Sequence, residues 1–219
     1  MKNRVCIITG GCLSRQFLTE FLKKEKFQKV MAVDNGLKWC DELNIVPDYI
    51  VGDFDTVNKK LLRKYEKNEK IQIERLNPHK DDSDTEHALW HVISCQPDEI
   101  VLLGGLGNRM DHAIANIYSL QIPLQYHIPA YLVDEKNRIS LIKRDKVLRK
   151  QEQYGKYFSI MPFSDEVRGV TITGAAYPVE EKDFTRDDSF SLGVSNEIVG
   201  EEAHISIREG MLLLLETKD

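Results

Sequence analysis

Tyr49-Ile50-Val51-Gly52-Asp53-Phe54-Asp55-Thr56 runs from a short apolar stretch into a glycine and two carboxylates two residues apart. Three apolar residues closed off by such a turn are too few for a helix and read as a buried strand with a polar loop at its carboxyl end. The pattern recurs on either side. Val30-Met31-Ala32-Val33 leads into Asp34-Asn35-Gly36, and Ile100-Val101-Leu102-Leu103 leads into Gly104-Gly105-Leu106-Gly107-Asn108-Arg109-Met110-Asp111. Further strands are expected at residues 5–9, 71–76, 130–133 and 139–142.

Between these runs, apolar residues fall at helical spacing: Phe17, Leu18, Phe21 and Leu22; Leu61, Leu62 and Tyr65; Leu89, Val92 and Ile93; Ile114 and Ile117. Strands alternating with helices imply an α/β domain with a parallel sheet. Ser83-Asp84-Thr85-Glu86 has capping-box spacing, which places a helix start at Ser83 and Asp84 in its first turn. From about Tyr157 the helical period disappears. Short β-rich pieces at 157–161, 169–173, 190–194, 203–207 and 211–216 suggest a second, smaller antiparallel sandwich or barrel. The expected domains are 1–145 and 146–219, with the charged stretch 143–153 as a solvated join.

The chain has 219 residues, 42% hydrophobic and 30% charged, which excludes disorder as its main theme. Its longest aliphatic run, 211–215, is far below the roughly 18 residues of a membrane span. Lys2 and Arg4 precede Val5-Cys6-Ile7-Ile8, but Gly10-Gly11 and Arg15 cut that stretch too early for a signal peptide. A net charge of −5 without basic clusters interleaved with aromatics argues against a nucleic-acid partner. Cys6, Cys12, Cys40 and Cys95 make no zinc-like spacing and read as reduced, mostly buried thiols of a cytoplasmic protein.

In an open parallel sheet, ligands bind beyond the carboxyl ends of the strands. If 53–55 is extended, Asp53 and Asp55 point to one side and Phe54 to the other. Converging carboxylates suit Mg²⁺, which takes one or two of them and fills its octahedron with water and phosphate oxygens; the bland alternative is an acidic turn. Asp81, Asp82 and Asp84 add acids that either complement a helix start or join the same site. Gly104-Gly105 before a helix near Met110 offers backbone N–H groups to phosphate, with Arg109 as a charged fork. Neither a Walker loop nor an NAD fingerprint is present, and His112 reads as structural.

Taken together and in order, five segments resemble the thiamine pyrophosphokinase (thiamine diphosphokinase) family. They are Asp34-x-Gly36; Pro47 through Thr56; Lys80-Asp81-Asp82-Ser83-Asp84-Thr85-Glu86; Gly104-Gly105 with Arg109-x-Asp111-His112; and Ser191-x-Gly193-Val194-Ser195-Asn196-Glu197. The resemblance implies a Rossmann-like nucleotide domain, a C-terminal β-sandwich that binds thiamine, and a cytoplasmic homodimer with sites shared between subunits. It implies transfer of the diphosphoryl group of ATP to the hydroxyethyl oxygen of thiamine, giving thiamine diphosphate and AMP. Asp53, Asp55 and Asp84 would be catalytic and hold Mg²⁺; Asp34, Gly36, Asp81, Gly104, Gly105, Arg109 and Asp111 would meet the nucleotide; Ser195 and Asn196 would contact thiamine. Three alternatives are distinguishable: diphosphorylation of another hydroxymethyl heterocycle such as a pterin, hydrolysis with Asp53 as nucleophile, and nucleotide binding without catalysis. The Ser191 to Glu197 segment disfavours the first.

Overall fold

The computed structural model describes residues 2–77, 82–107, 109–187 and 192–219, and the chain divides into two compact units, Met1–Glu135 and Lys136–Asp219. In the first unit the order is β1 (Arg4–Ile8), α1 (Arg15–Lys24), β2 (Lys29–Val33), α2 (Gly36–Glu42), β3 (Tyr49–Gly52), α3 (Lys59–Glu66) and β4 (Gln72–Arg75). It continues through α4 (Asp84–Ser94), β5 (Glu99–Leu103), α5 (Met110–Ser119), α6 (Gln121–Gln125) and β6 (Ala130–Val133). The strands lie side by side as β4-β3-β2-β1-β5-β6, every neighbouring pair parallel.

Strands covered on both faces have no polar side to show, which is why β1, β3 and β5 read as unbroken apolar runs. Ile7, Ile8, Ile50, Ile100 and Leu102 are fully buried, as are Leu18, Leu37 and Leu89 of the helices. At the edge, β4 is Gln-Ile-Glu-Arg with no buried residue, as an unpaired outer strand requires. The chain winds outward from β1 to β4 and then returns to place β5 beside β1. In open α/β sheets ligands bind at such a reversal, beyond the carboxyl ends of the strands, and here Gly10, Gly11, Gly104 and Gly105 follow β1 and β5.

The second unit holds β7 (Asn137–Ile142), β8 (Lys146–Arg149), β9 (Tyr157–Pro162), β10 (Glu166–Thr173), β11 (Val179–Thr185), β12 (Glu202–Ser206) and β13 (Leu212–Thr217). β13 pairs antiparallel with both β7 and β9, and β11-β10-β12-β8 form a four-stranded antiparallel sheet. One apolar core joins them: Phe158, Ile160, Leu212 and Leu214 from the first group meet Leu148, Val170, Ile172, Phe184 and Ile205 from the second.

Three expectations need correction. The stretch read as a solvated join contains β8, whose Leu148 enters the core while Lys146, Val147 and Arg149 stay outside it. Charged residues at both ends of a strand with one apolar anchor hide it. β11 lies outside the expected strands because Val-Glu-Glu-Lys-Asp-Phe-Thr buries only Phe184, and a left-handed Glu181 with register shifts against β10 interrupts the alternation. Of the strand expected at 190–194, the described residues 192–194 are turns followed by an isolated bridge between Phe158 and Asn196. Among the thiols, Cys6 and Cys40 are buried as expected, whereas Cys12 is exposed and Cys95 half-buried.

Candidate active site

Asp34 follows β2 in a left-handed conformation, φ 46°, and its amide donates to Val51 O at 3.0 Å, so the loop folds over the end of β3. Gly52, the last residue of β3, is required by that approach: a Cβ there would run into the Asp34 carboxylate. Asp53 comes next, and Phe54 is both buried and left-handed, φ 60°. The segment is therefore not extended, and the simple alternation expected for Asp53 and Asp55 does not apply. Instead the Asp55 amide donates to Asp53 Oδ1 at 3.0 Å and the Asp55 side chain stands exposed.

Asp84 arrives from α4. Ser83 caps that helix, its hydroxyl accepting from the Glu86 amide at 3.1 Å, as the capping-box spacing anticipates. Burial of Ala88, Leu89, Val92 and Ile93 fixes the helix on the sheet and leaves Asp84 in its first turn. Among the described residues, Asp34, Asp53 and Asp84 then bring one carboxylate oxygen each within 4.8 Å of one another. Asp34, expected at the nucleotide, thus stands with the expected metal ligands Asp53 and Asp84, while Asp55 is not one of the three.

The electrostatics follow from that crowding. Burial first, then a hydrogen bond and repulsion from Asp84, push the Asp34 carboxyl up to about 8, with Asp53 adding to the effect. Like charges this close hold a proton unless a cation replaces it. All three donors are hard oxygens, the set that suits Mg²⁺ or Ca²⁺ rather than a softer metal. The residues present therefore fit a divalent cation.

Glycine turns at the ends of β1 and β5 lie beside the cluster, Gly10 packing against Asn35. Thr9 donates from its amide and its hydroxyl to Leu103 O, at 2.9 and 3.2 Å, tying the end of β1 to that of β5. Gly104 sits at φ 78°, and a Cβ on Gly11 would collide with Gly104 O. Gly105 O accepts from Asn116 Nδ2 at 2.8 Å, which anchors the turn to α5. Gly36, opening α2, has no room for a Cβ against Ile8 O. At the start of α5, Arg109 Nε and Nη2 donate to the two Asp111 oxygens at 3.2 and 2.6 Å. The Arg109 guanidinium, with the His112 amide, holds the Asp111 carboxyl down at about 2. Both side chains are exposed, with the Nε and Nη2 edge of the guanidinium engaged by Asp111.

In the second unit, Ile160 N donates to Gly193 O at 2.9 Å, and Asn196 and Phe158 exchange backbone hydrogen bonds at 2.8 and 2.9 Å. Gly193 is the residue that permits this approach, since a Cβ would strike Ile160. Ser195 is left-handed, φ 57°, with its amide on Ser159 Oγ at 3.0 Å and its side chain exposed. Asn196 is only 2% exposed. Its Oδ1 accepts from the Tyr177 and Glu197 amides, both at 2.9 Å, and its Nδ2 donates to Tyr177 O at 2.8 Å. That side chain holds two loop segments together, and the exposed groups it presents are Ser195 and Tyr177. Asp81, with Lys80, Asn108 and Ser191 of the sequence motifs, lies outside the described residues.

Clustered acids beside glycine turns at the carboxyl ends of a parallel sheet have the chemistry that a phosphoryl-transferring enzyme needs, here followed by an all-β unit. Comparison with known proteins makes this specific. Residues 21–132 match the family model "Thiamin pyrophosphokinase, catalytic domain", and residues 145–212 match "Thiamin pyrophosphokinase, vitamin B1 binding domain". The chain belongs to the thiamine pyrophosphokinase family. It is 28% identical over 189 residues to the thiamine pyrophosphokinase of Bacillus subtilis (strain 168), covering 86% of this chain and 87% of that one. Its fold matches a B. subtilis thiamine pyrophosphokinase structure with a TM-score of 0.85 at 27% identity, over 99% of both chains. The Geobacillus thermodenitrificans structure gives 0.85 at 25% identity, over 99% of this chain and 98% of that one. The Candida albicans structure, at 17% identity, shares the fold at 0.80 over 99% of this chain and 89% of that one.

Proposed function

We propose that Asp34, Asp53 and Asp84 bind Mg²⁺ for ATP in the reaction of the family, the ATP-dependent conversion of thiamine to thiamine diphosphate. One observation supports the metal reading above the others: one carboxylate oxygen from each residue lies within 4.8 Å of the other two. A bound divalent cation would neutralise carboxylate and triphosphate charge together. Asp55, exposed beside Asp53, lines the same mouth, and Gly104, Gly105, Arg109 and Asp111 receive the nucleotide. Ser195 faces thiamine, with Asn196 holding its segment in shape.

The chemistry asks mainly for positioning. The hydroxyethyl oxygen of thiamine attacks the β-phosphorus of ATP, a new P–O bond forms, the bond to the α-phosphate bridge breaks, and AMP leaves. The hydroxyl proton passes to a carboxylate of the site. Glycine-turn amides and the Arg109 fork orient the phosphates and meet the charge that develops on them.

The remaining parts of the reading are a Rossmann-like first unit, a β-sandwich second unit, a cytoplasmic location and a homodimer that shares its sites between subunits. No helix among the described residues is long and apolar enough to cross a membrane, which is compatible with the location. The direct test measures AMP formation with thiamine, pyrithiamine or a pterin alcohol as acceptor. AMP should appear with thiamine and Mg²⁺ and vanish without either; inorganic phosphate released with no acceptor would mean a hydrolase. For the dimer, mixing inactive Asp84→Asn chains with chains damaged at Ser195 should restore activity if each site draws on two subunits, and should restore none if each lies within one.

A further inference from the structure

We infer that His87 is a positioning residue for Asp84, tying the start of α4 to β4 and through it to β3. This rests on the reading of Asp34, Asp53 and Asp84 as metal ligands. His87 lies three residues after Asp84, one helical turn along the same side of α4. Its Nε2 is 3.1 Å from Glu74 Oε1 on β4, and its Nδ1 is 3.4 Å from Asp82 Oδ2, just ahead of the helix. One ring thus reaches both the neighbouring strand and the segment that leads into α4.

Glu74 carries the connection onward. It accepts from the Tyr49 hydroxyl, and Tyr49 opens β3, the strand that ends beside Asp53. The Tyr49 hydroxyl and the His87 ring together hold the Glu74 carboxyl below its usual range, so it stays an acceptor for both. Tyr49 also stacks on His91, the residue one turn beyond His87, with ring centroids 3.8 Å apart and planes inclined by 22°. The result is a closed circuit: Asp84, α4, His87, Glu74, Tyr49, β3, Asp53. Two carboxylates that come from different elements are linked by polar contacts at a distance from the cluster itself.

The apolar face of α4 sets how deeply the helix packs, but contacts of that kind are non-directional and leave sliding along the sheet weakly restrained. The histidine contacts are directional and oppose that motion. Mg²⁺ demands near-octahedral ligands, so a small slip of Asp84 against Asp53 weakens binding without unfolding anything. His87, Glu74 and Asp82 are each at least 30% exposed at the side chain, so their contribution to global stability is small.

The test compares wild type with His87→Ala, His87→Gln and Asp84→Asn, titrating each full chain with Mn²⁺ alone by electron paramagnetic resonance and recording its metal-free melting temperature. His87→Ala should weaken Mn²⁺ binding about tenfold, near the lower end for outer-shell changes, with little loss of melting temperature. His87→Gln, which keeps a donor toward Glu74, should recover part of the affinity. Activity assays should show a higher apparent requirement for Mg²⁺ with the thiamine KM unchanged. If Asp84→Asn loses Mn²⁺ while both His87 variants bind it as wild type does, the positioning role is wrong and the metal reading stands. If Asp84→Asn binds as wild type does, both fall together.

Discussion

The carboxylate cluster of the first unit and the Ser195–Asn196 segment of the second treat polar groups in opposite ways. Asn196 is buried and its amide is engaged on both sides, by Tyr177 and Glu197. Asp34 is half-buried, and burial with its acidic neighbours raises its proton affinity by more than the Phe54 amide, which donates to Oδ1 at 3.4 Å, lowers it. A satisfied buried amide is a scaffold, whereas acids pressed together call for a ligand from outside. Two motifs of similar appearance in sequence therefore predict different mutational behaviour.

The largest effect should fall on turnover at the cluster. Asp53→Asn and Asp84→Asn should each reduce AMP formation by about 100-fold or more, since loss of a direct ligand should reach or exceed the roughly 10–100-fold cost of an outer-shell change, while the metal-free melting temperature stays level or rises because repulsion is relieved. Asp55→Asn, outside the three, should cost less. Equal losses for Asp55 and Asp53 would move the metal site toward the exposed rim. Gly52→Ala comes next. Its methyl displaces the Asp34 carboxylate, so the Mg²⁺ requirement should rise, and an unchanged requirement would show that Asp34 is dispensable.

Asn196→Ala should act on stability. Leaving the Tyr177 and Glu197 amides without their acceptor costs about 1–3 kcal/mol, measured as a lower urea midpoint. A variant as stable as wild type with only a raised thiamine KM would return Asn196 to the role of a ligand contact.

A smaller effect separates the two regions by pH. The Asp34 carboxyl is raised from 3.8 to about 8 in the folded chain, so the metal-free fold binds this proton more tightly than the unfolded chain does. Metal-free stability should therefore decline as pH rises from 3.8 toward 8, where the folded group finally ionises. Mg²⁺ competes with that proton. Its stabilising shift in melting temperature should be larger at pH 8.5 than at pH 6, to about the extent that linkage between metal and proton requires. An equal shift at both would uncouple Asp34 from the metal.

Much of this was legible from residues alone, for reasons that differ by region. Runs such as Ile100 to Leu103 are apolar because both sheet faces are covered, so the strands of the first unit showed plainly, and Ser83 with Glu86 announced the start of α4. α2 and β11 were hidden, the first by brevity, the second because only Phe184 faces the core. Asp53 and Asp84 could be singled out as acids at the right places in the chain. Asp34 could be singled out as well, toward the nucleotide, but its place beside the other two could not, because it joins them through two left-handed residues and a missing Cβ at Gly52, features of backbone geometry that no side-chain period records. His87 escaped for a similar reason: only the pairing of β3 with β4 brings Glu74 and Tyr49 into reach.

The central claim is tested most directly by diffraction from crystals soaked in Mn²⁺ with a non-hydrolysable ATP analogue. An anomalous peak should lie about 2.1 Å from carboxylate oxygens of Asp34, Asp53 and Asp84, the distance expected of a small octahedral cation. A fully occupied nucleotide with no anomalous peak at those three residues would contradict the account.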